Sequence, residues 1–129
     1  LIFFDVDNFK HINDTLGHQS GDAVLVRIAE ILKNRLRRTD IIGRWGGEEF
    51  TVGLINTDLE NARIIAETLR QSFEEDTVLL HLCGFPVTAR FGAVTLSQTD
   101  TIDTLLSRAD AAMYRAKELG KNKVESKMV

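Results

Sequence analysis

The chain carries a single cysteine, Cys83, so no disulfide can form within it and a reducing compartment is the default. One proline, Pro86, and the lack of any Gly- or Ser-rich stretch leave no sign of a linker or an internal domain boundary. No apolar run approaches the ~20 residues that span a bilayer, and no signal-peptide pattern is present. Positive charge is not in excess either. The formal net charge is -3 and the pI about 5.6. That excludes a general nucleic-acid binder, which needs a basic face to release counterions, while leaving room for a local phosphate pocket. Repeats and low-complexity segments are absent. What remains is the makeup of one globular domain: 129 residues, 43% hydrophobic and 27% charged, enough to bury a single core.

The chain is organised around Arg44-Trp45-Gly46-Gly47-Glu48-Glu49-Phe50. Asp40–Trp45 and Phe50–Ile55 both read as strands. The Gly-Gly pair between them predicts a hairpin, since both glycines can take φ > 0 without a Cβ penalty. Paired Gly beside paired Glu also offers bare backbone to a flat ligand and two carboxylates to a cation. A solvated turn would equally account for these residues taken alone.

The opening run Leu1-Ile2-Phe3-Phe4-Asp5-Val6-Asp7 predicts a strand buried on both faces in the middle of a sheet. Alternation sends Asp5 and Asp7 to one side and Val6 to the other. A carboxylate at the end of a buried strand suits a cation held jointly with substrate phosphates. The competing role is helix capping, which fits Asp7 or Asn8 better than Asp5. Phe9, Ile12 and Leu16 fall at helical spacing with Gly17 as the stop. A longer helix then buries Val24, Leu25, Ile28, Ile31, Leu32 and Leu36, with Lys33, Arg35, Arg37 and Arg38 near its C-terminal end, where the macrodipole favours them.

After the hairpin, Thr57-Asp58-Leu59-Glu60 reads as a capping box opening a helix that turns Leu59, Ala62, Ile65, Ala66, Leu69 and Phe73 inward. Residues 77–82 and 85–94 read as a second antiparallel pair. His81 and Cys83 are too isolated for a metal site and are expected to be structural. A last helix, from about Ile102 to Leu119 with Asp100 as cap, buries Leu105, Leu106, Ala109, Ala112, Met113 and Ala116. Asn122–Glu125 predicts a short edge strand. Such an order, with antiparallel pairs rather than regular alternation, points to an α+β sandwich with helices packed on a sheet.

Several separated motifs together resemble one family, the GGDEF domains of diguanylate cyclases. The GGEEF form of the signature stands intact at Gly46–Phe50. Asp5-Val6-Asp7-Asn8-Phe9-Lys10 with Asn13-Asp14, and Gly17-His18 with Gly21-Asp22, match the family's first two blocks. Arg37-Arg38-Thr39-Asp40 matches its regulatory RxxD motif, and Ala109-Asp110, Met113-Tyr114, Ala116-Lys117 and Gly120-Lys121-Asn122 match its closing helix. The resemblance implies a nucleotidyl-cyclase and polymerase palm-like (ferredoxin-like) α+β sandwich, with a mostly antiparallel central sheet and packed helices. It also implies condensation of two GTP into cyclic di-GMP with release of two pyrophosphates.

By the same resemblance, Asp5, Glu48, Glu49 and the Val6 carbonyl would hold two Mg²⁺ per active site, with Mn²⁺ as a substitute. Glu48 would also be the proton acceptor, though sequence does not rank it against Glu49. Gly46 and Gly47 would accept the guanine, and Asn13 and Asp22 would read its edge. Lys10 would stabilise charge in transfer or hold the β-phosphate; Lys117 and Lys121 would hold the γ-phosphate. Relatives often have Arg at the second position, so Lys121 keeps the charge and loses bidentate geometry. His18 would contact substrate or serve structure. Arg37 and Asp40 would bind product and inhibit.

The expected partners are GTP, cyclic di-GMP, a second copy of the domain (each half-site holds one GTP) and an upstream sensory or dimerising domain, with no nucleic acid and no direct membrane contact. The expected location is the cytoplasm, free or as the cytoplasmic part of a membrane-anchored protein. The alternative is a catalytically silent receptor for cyclic di-GMP or GTP. Two departures stand out. The family's leading helix with its DxLT motif has no counterpart here, so residues 1–129 are expected to be a catalytic domain lacking its N-terminal helix. In place of the usual VTxSxG the chain has Val87-Thr88-Ala89-Arg90-Phe91-Gly92, and Arg90 must reach solvent or find a partner.

Overall fold

Ile2–Val6 (β1) forms the centre of the sheet because every one of its residues is buried. The computed structural model describes residues 1–127. From β1 the chain runs through Phe9–Leu16 (α1), His18–Arg35 (α2), Ile41–Arg44 (β2) and Glu49–Gly53 (β3). It continues through Leu59–Glu74 (α3), Thr77–Cys83 (α4), Ala89–Val94 (β4), Ile102–Glu118 (α5) and Val124–Lys127 (β5). The strands lie in the order β2-β3-β1-β4-β5, antiparallel except for the β4–β5 pair at the edge. This is the expected α+β architecture, with β1 between two antiparallel neighbours.

Strand alternation divides the core in two. Ile2, Phe4 and Val6 join Phe50, Val52, Phe91 and Ala93 under helices α1 to α4. Phe4 packs within 5.0 Å of Phe50, 5.4 Å of Phe73 and 4.9 Å of Phe91, measured between ring centres. On the opposite face, Phe3 and Val94 meet Ala109 and Met113 of α5. Helix α5 approaches β4 closely: a Cβ at Gly92 would collide with the Ala109 carbonyl and stand 2.5 Å from the Met113 nitrogen. Past α5, this second face carries Asp5, Glu49 and Thr51 at the β1 and β3 positions.

The strand expected over residues 77–82 is instead helix α4, and the second antiparallel pair does not form. Asp76 caps α4 by accepting from the Leu79 amide at 2.9 Å, and Gly84 ends it at φ 77. The apolar residues Leu79 and Cys83, four apart, are the buried face. β-Branched and leucine content suggested a strand, but the caps at each end and packing on α2 override propensity. Residues 85–88 are irregular, and β4 pairs with β1 and β5.

Smaller expectations are also corrected. Gly46 and Gly47 are not among the residues with positive φ, so the hairpin does not use left-handed glycines. The second strand starts at Glu49, one residue before the expected Phe50. The α3 cap is Asp58, accepting from the Asn61 amide at 2.8 Å; Glu60 pairs with Arg63 rather than closing a box with Thr57. Thr101 caps α5 in a reciprocal arrangement with Thr104, while Asp100 binds Arg108 and the Ser97 amide. Asn8, at φ 57, occupies the cap position of α1, and Asp7 caps nothing. Leu16 is exposed, and Arg37 and Arg38 lie beyond the end of α2.

Candidate active site at the end of the central strand

The register places three charged residues in one row across the sheet. Asp5 stands directly opposite Glu49 on β3 and opposite Arg90 on β4. Directly paired residues share a face, so all three side chains project on the side away from the Phe4 cluster. Arg90 bridges both aspartates, donating from Nη2 to Asp5 Oδ2 at 2.6 Å and from Nη1 to Asp7 Oδ1 at 3.2 Å. The partner that the sequence demanded for Arg90 is therefore the acidic pair at the end of β1.

Asp5 is 4% exposed, and its Oδ1 has no hydrogen-bond partner. Burial raises its carboxyl most strongly. Arg90 opposes this, but Glu48, Glu49 and Asp7 add to it, and the group is pushed up to about 7.

Asp7, 3% exposed, ties the end of β1 to two other segments. Its Oδ2 accepts from the Thr88 hydroxyl at 2.8 Å and from the Asn122 amide at 2.9 Å. Lys121 and Asn122 both adopt left-handed φ, at 61 and 44, which lets the turn after α5 reach back to β1. Lys121 Nζ donates to Asn8 Oδ1 at 2.8 Å, placing that lysine beside the β1–α1 junction.

The hairpin is pinned to the same junction. The Val6 amide donates to the Glu48 carbonyl at 3.2 Å, and the Trp45 amide donates to the Glu49 carbonyl at 2.8 Å. Arg44 donates to the Gly47 carbonyl from Nη2 at 2.7 Å and from Nε at 3.1 Å, so it shapes the Gly-Gly loop. Gly46 and Gly47 are exposed, with no atom near enough to Gly47 to meet an added Cβ.

Asn13 and Asp22 come from adjoining helices. A Cβ at Gly21 would overlap the Asn13 carboxamide and stand 3.3 Å from Phe9, so glycine there lets α1 and α2 close together. Asp22 lines a groove of about 530 Å³ with Leu25, Val26, Ala29, Ile42, Arg44 and Phe50, between α2 and the hairpin strands. Lys10, His18 and Lys117 are exposed; among the described residues no hydrogen bond or ion pair holds them to the carboxylates.

The Arg37–Asp40 pair forms a separate unit. Asp40 accepts from the Arg37 amide at 2.9 Å, from Nε at 3.3 Å and from Nη2 at 2.9 Å. Nη2 also reaches the Ile55 carbonyl at 2.9 Å. Burial works to raise the Asp40 carboxyl, but these Arg37 hydrogen bonds outweigh it and hold the group below its ordinary value. A cavity of about 320 Å³ adjoins Arg37, lined also by Asn56, Thr57, Asn61, Ile64 and Ile65.

Among the described residues no three His, Cys, Asp or Glu side chains converge into a ready ligand sphere. The donor chemistry nevertheless fits a hard divalent cation. Beside the Arg90 guanidinium, the donor groups near β1 are carboxylate and carbonyl oxygens, and the buried, unpartnered Asp5 Oδ1 is the kind of atom a cation satisfies. Sequence reasoning missed Arg90 as a partner of this site and Asp7 and Arg44 as its braces. Their hydrogen bonds span 83, 81 and 3 residues, and only the first two depend on distant pairing.

A central strand ending in carboxylates beside an acidic hairpin, in a five-stranded mostly antiparallel sheet, defines the palm-like class of α+β domain. Within that class the chain belongs to the GGDEF domain family: the family model described as "Diguanylate cyclase, GGDEF domain" matches residues 1–123. The chain is 42% identical over 125 residues to diguanylate cyclase DgcM of Escherichia coli K12, covering 96% of this chain and 30% of that protein. It is 38% identical over 125 residues to diguanylate cyclase A of Treponema denticola, covering 96% of this chain and 34% of that protein. It thus spans about a third of the length of these relatives.

The active GGEEF domain of a Vibrio cholerae diguanylate cyclase superposes with a TM-score of 0.89 at 36% identity, covering 97% of this chain and 80% of that one. The GGDEF domain of DgcB from Caulobacter crescentus, solved with cyclic di-GMP, gives 0.87 at 27% identity, covering 97% and 75%. The family generally uses divalent metals. No helix among the described residues is long and apolar enough to cross a membrane.

Proposed function

We propose that this chain, residues 1–129, is the catalytic domain of a diguanylate cyclase that condenses two GTP into cyclic di-GMP and two pyrophosphates. The observation that carries the reading is the buried Asp5 carboxylate, its Oδ1 unpartnered, directly opposite Glu49 of an intact GGEEF hairpin. Each GTP 3′-oxygen attacks the α-phosphorus of the other GTP. A 3′-O–P bond forms, the α–β phosphoanhydride breaks, pyrophosphate leaves, and the hydroxyl proton passes to a carboxylate, for which Glu48 is the candidate. Both bonds require two domains face to face, so the working unit is a homodimer.

Asp5, Glu48, Glu49 and the Val6 carbonyl would hold two Mg²⁺, with Mn²⁺ as a substitute. Bound metal supplies neutralisation of phosphate charge and a lower hydroxyl pKa. The chain's own residues do the rest. Gly46 and Gly47 leave backbone bare for the guanine. Asp22, lining the groove beside the hairpin, accepts from the guanine N1–H and N2 amine, which adenine does not present, and Asn13 reads the same edge. Lys10 steadies the transferring phosphoryl group, and Lys117 and Lys121 hold the γ-phosphate. His18 contacts substrate. Arg37 and Asp40 bind product at the surface and inhibit.

An upstream sensory or dimerising domain and a cytoplasmic setting, free or membrane-anchored, complete the reading. Arg90 already neutralises part of Asp5 and Asp7, which favours the second reading, a silent receptor for cyclic di-GMP or GTP. Product analysis separates the two. The domain, extended by its native upstream segment, held as a dimer and stripped of nucleotide, is given GTP and Mg²⁺. Cyclic di-GMP by mass and retention supports the enzyme. Absence of product from folded protein that still binds cyclic di-GMP supports the receptor.

A further inference from the structure

The two oxygens of Asp5 have different surroundings. Oδ2 is taken by the Arg90 guanidinium at 2.6 Å, from the β4 side. Oδ1 is buried and has no partner, with Glu49 opposite on the β3 side. The Arg90 side chain is 12% exposed and the Asp5 and Asp7 side chains 6% and 1%, so all three charges interact through protein rather than bulk water. Arg90 is also held at its second fork by Asp7, which is itself anchored by Thr88 and Asn122. A guanidinium held on two carboxylates cannot swing away cheaply. It is therefore a fixed positive charge beside the oxygen best placed to receive a cation.

We infer that Arg90 is a resident counter-ion that keeps the divalent-cation affinity of the nucleotide-free site low, so that metal is taken up together with the nucleotide's phosphates. This rests on the reading of Asp5 as a cation ligand. Asp5, Asp7, Glu48 and Glu49 supply the negative charge of the site, and Arg90 offsets part of it right beside Asp5. A divalent ion arriving alone meets a weakened field and a nearby like charge. A nucleotide triphosphate adds negative charge and supplies further oxygen ligands. Arg90 is thus a positioning residue: it orients Asp5, presents Oδ1 and couples metal uptake to the nucleotide. Asp7 and the left-handed turn at Lys121–Asn122 keep it in place.

The test is Mn²⁺ binding to the full chain, followed by the paramagnetic resonance of free Mn²⁺ with and without α,β-methylene-GTP, after subtracting the Mn²⁺ that the analogue holds in the absence of protein. In the parent, the analogue is expected to tighten Mn²⁺ binding at least ~10-fold, a tenfold change being one decade in Kd. Arg90→Gln keeps a hydrogen-bond donor and removes the charge. It is expected to bind Mn²⁺ without nucleotide at least ~10-fold more tightly than the parent, which shrinks the nucleotide dependence. Arg90→Lys is expected to stay close to the parent. Arg90→Ser carries the same expectation as the Gln variant should that one fail to fold.

A folded neutral variant that binds Mn²⁺ alone no more tightly than the parent overturns the inference. Asp5→Asn separates the two levels. If it abolishes Mn²⁺ binding with the analogue while Arg90→Gln changes nothing, only the role of Arg90 is refuted. If Mn²⁺ binding with the analogue survives Asp5→Asn, the ligand reading fails, and the inference with it.

Discussion

Glu49 lies directly opposite Asp5 in the antiparallel pairing of β3 with β1, two carboxylates on one face of the sheet. Like charges so placed repel, and Glu49 is among the groups that raise the Asp5 carboxyl. Glu49→Gln is therefore expected to stabilise the metal-free fold by about 0.2–1 kcal/mol, while lowering turnover. Urea unfolding in the presence of a chelator measures the first effect and cyclic di-GMP formation the second. A less stable Glu49→Gln protein would contradict the repulsion argument.

Glu48 has its backbone carbonyl bound to the Val6 amide and adds to the rise of the Asp5 carboxyl. Glu48→Gln is nearly isosteric, so the fold is expected to survive while product formation falls by at least ~100-fold. Circular dichroism and product analysis on the same sample check both halves. Undiminished product would remove Glu48 from the metal and proton-transfer roles.

Arg37 is committed to Asp40 and the Ile55 carbonyl, yet its side chain is 55% exposed beside a cavity. Arg37→Ala is expected to relieve inhibition by cyclic di-GMP, raising the inhibitory concentration by at least ~10-fold, as loss of a charged bidentate donor implies. Initial rates at increasing product concentration provide the measurement. Superimposable curves for parent and variant would leave the RxxD pair a local structural brace.

Asp76 caps α4 and accepts two hydrogen bonds from Arg27 of α2, at 3.1 and 2.8 Å. The Arg27 hydrogen bond, working against burial, lowers the Asp76 carboxyl below its ordinary 3.8. A depressed carboxyl contributes stability that is fully present above the unfolded-state value and is lost as pH falls through the folded-state value. Asp76→Ala is expected to cost about 1–3 kcal/mol near pH 7 through the lost cap and ion pair. The gap between parent and variant should narrow below pH 3.8. Chemical unfolding at neutral and acid pH tests this, and a gap independent of pH would exclude the ion pair as its source.

Legibility differed between segments for physical reasons. The α2 stripe from Val24 to Leu32 repeats its apolar residues over several turns, and each expected position there is buried. Residues 77–82 have no room for such repetition. Six apolar-rich residues fit a strand or two helical turns, and Asp76 with Gly84 decides between them only when their cap geometry forms. The Gly-Gly pair signalled the β2–β3 hairpin correctly but by the wrong backbone: a turn braced by Arg44 needs no left-handed glycine. At the site, the Asp5 and Glu48-Glu49 carboxylates could be picked out because acids inside or beside apolar strands are costly without a use. Arg90 announced only that a charge needed a partner.

The sequence by itself determined the family, the α+β class, the central place of β1 and the identity of the candidate ligands. These rest on residue type, short-range spacing and local periodicity, all of which survive in one dimension. Only the tertiary structure decided which charges meet. Arg90 reaches Asp5 and Asp7 because β4 pairs with β1 in one register, and a shift of a single residue would turn its side chain to the Phe4 face. Asp7 became a brace rather than a helix cap because the turn after α5 returns to it across 115 residues. Pairing register and chain return are properties of the assembled sheet, and no local pattern encodes them.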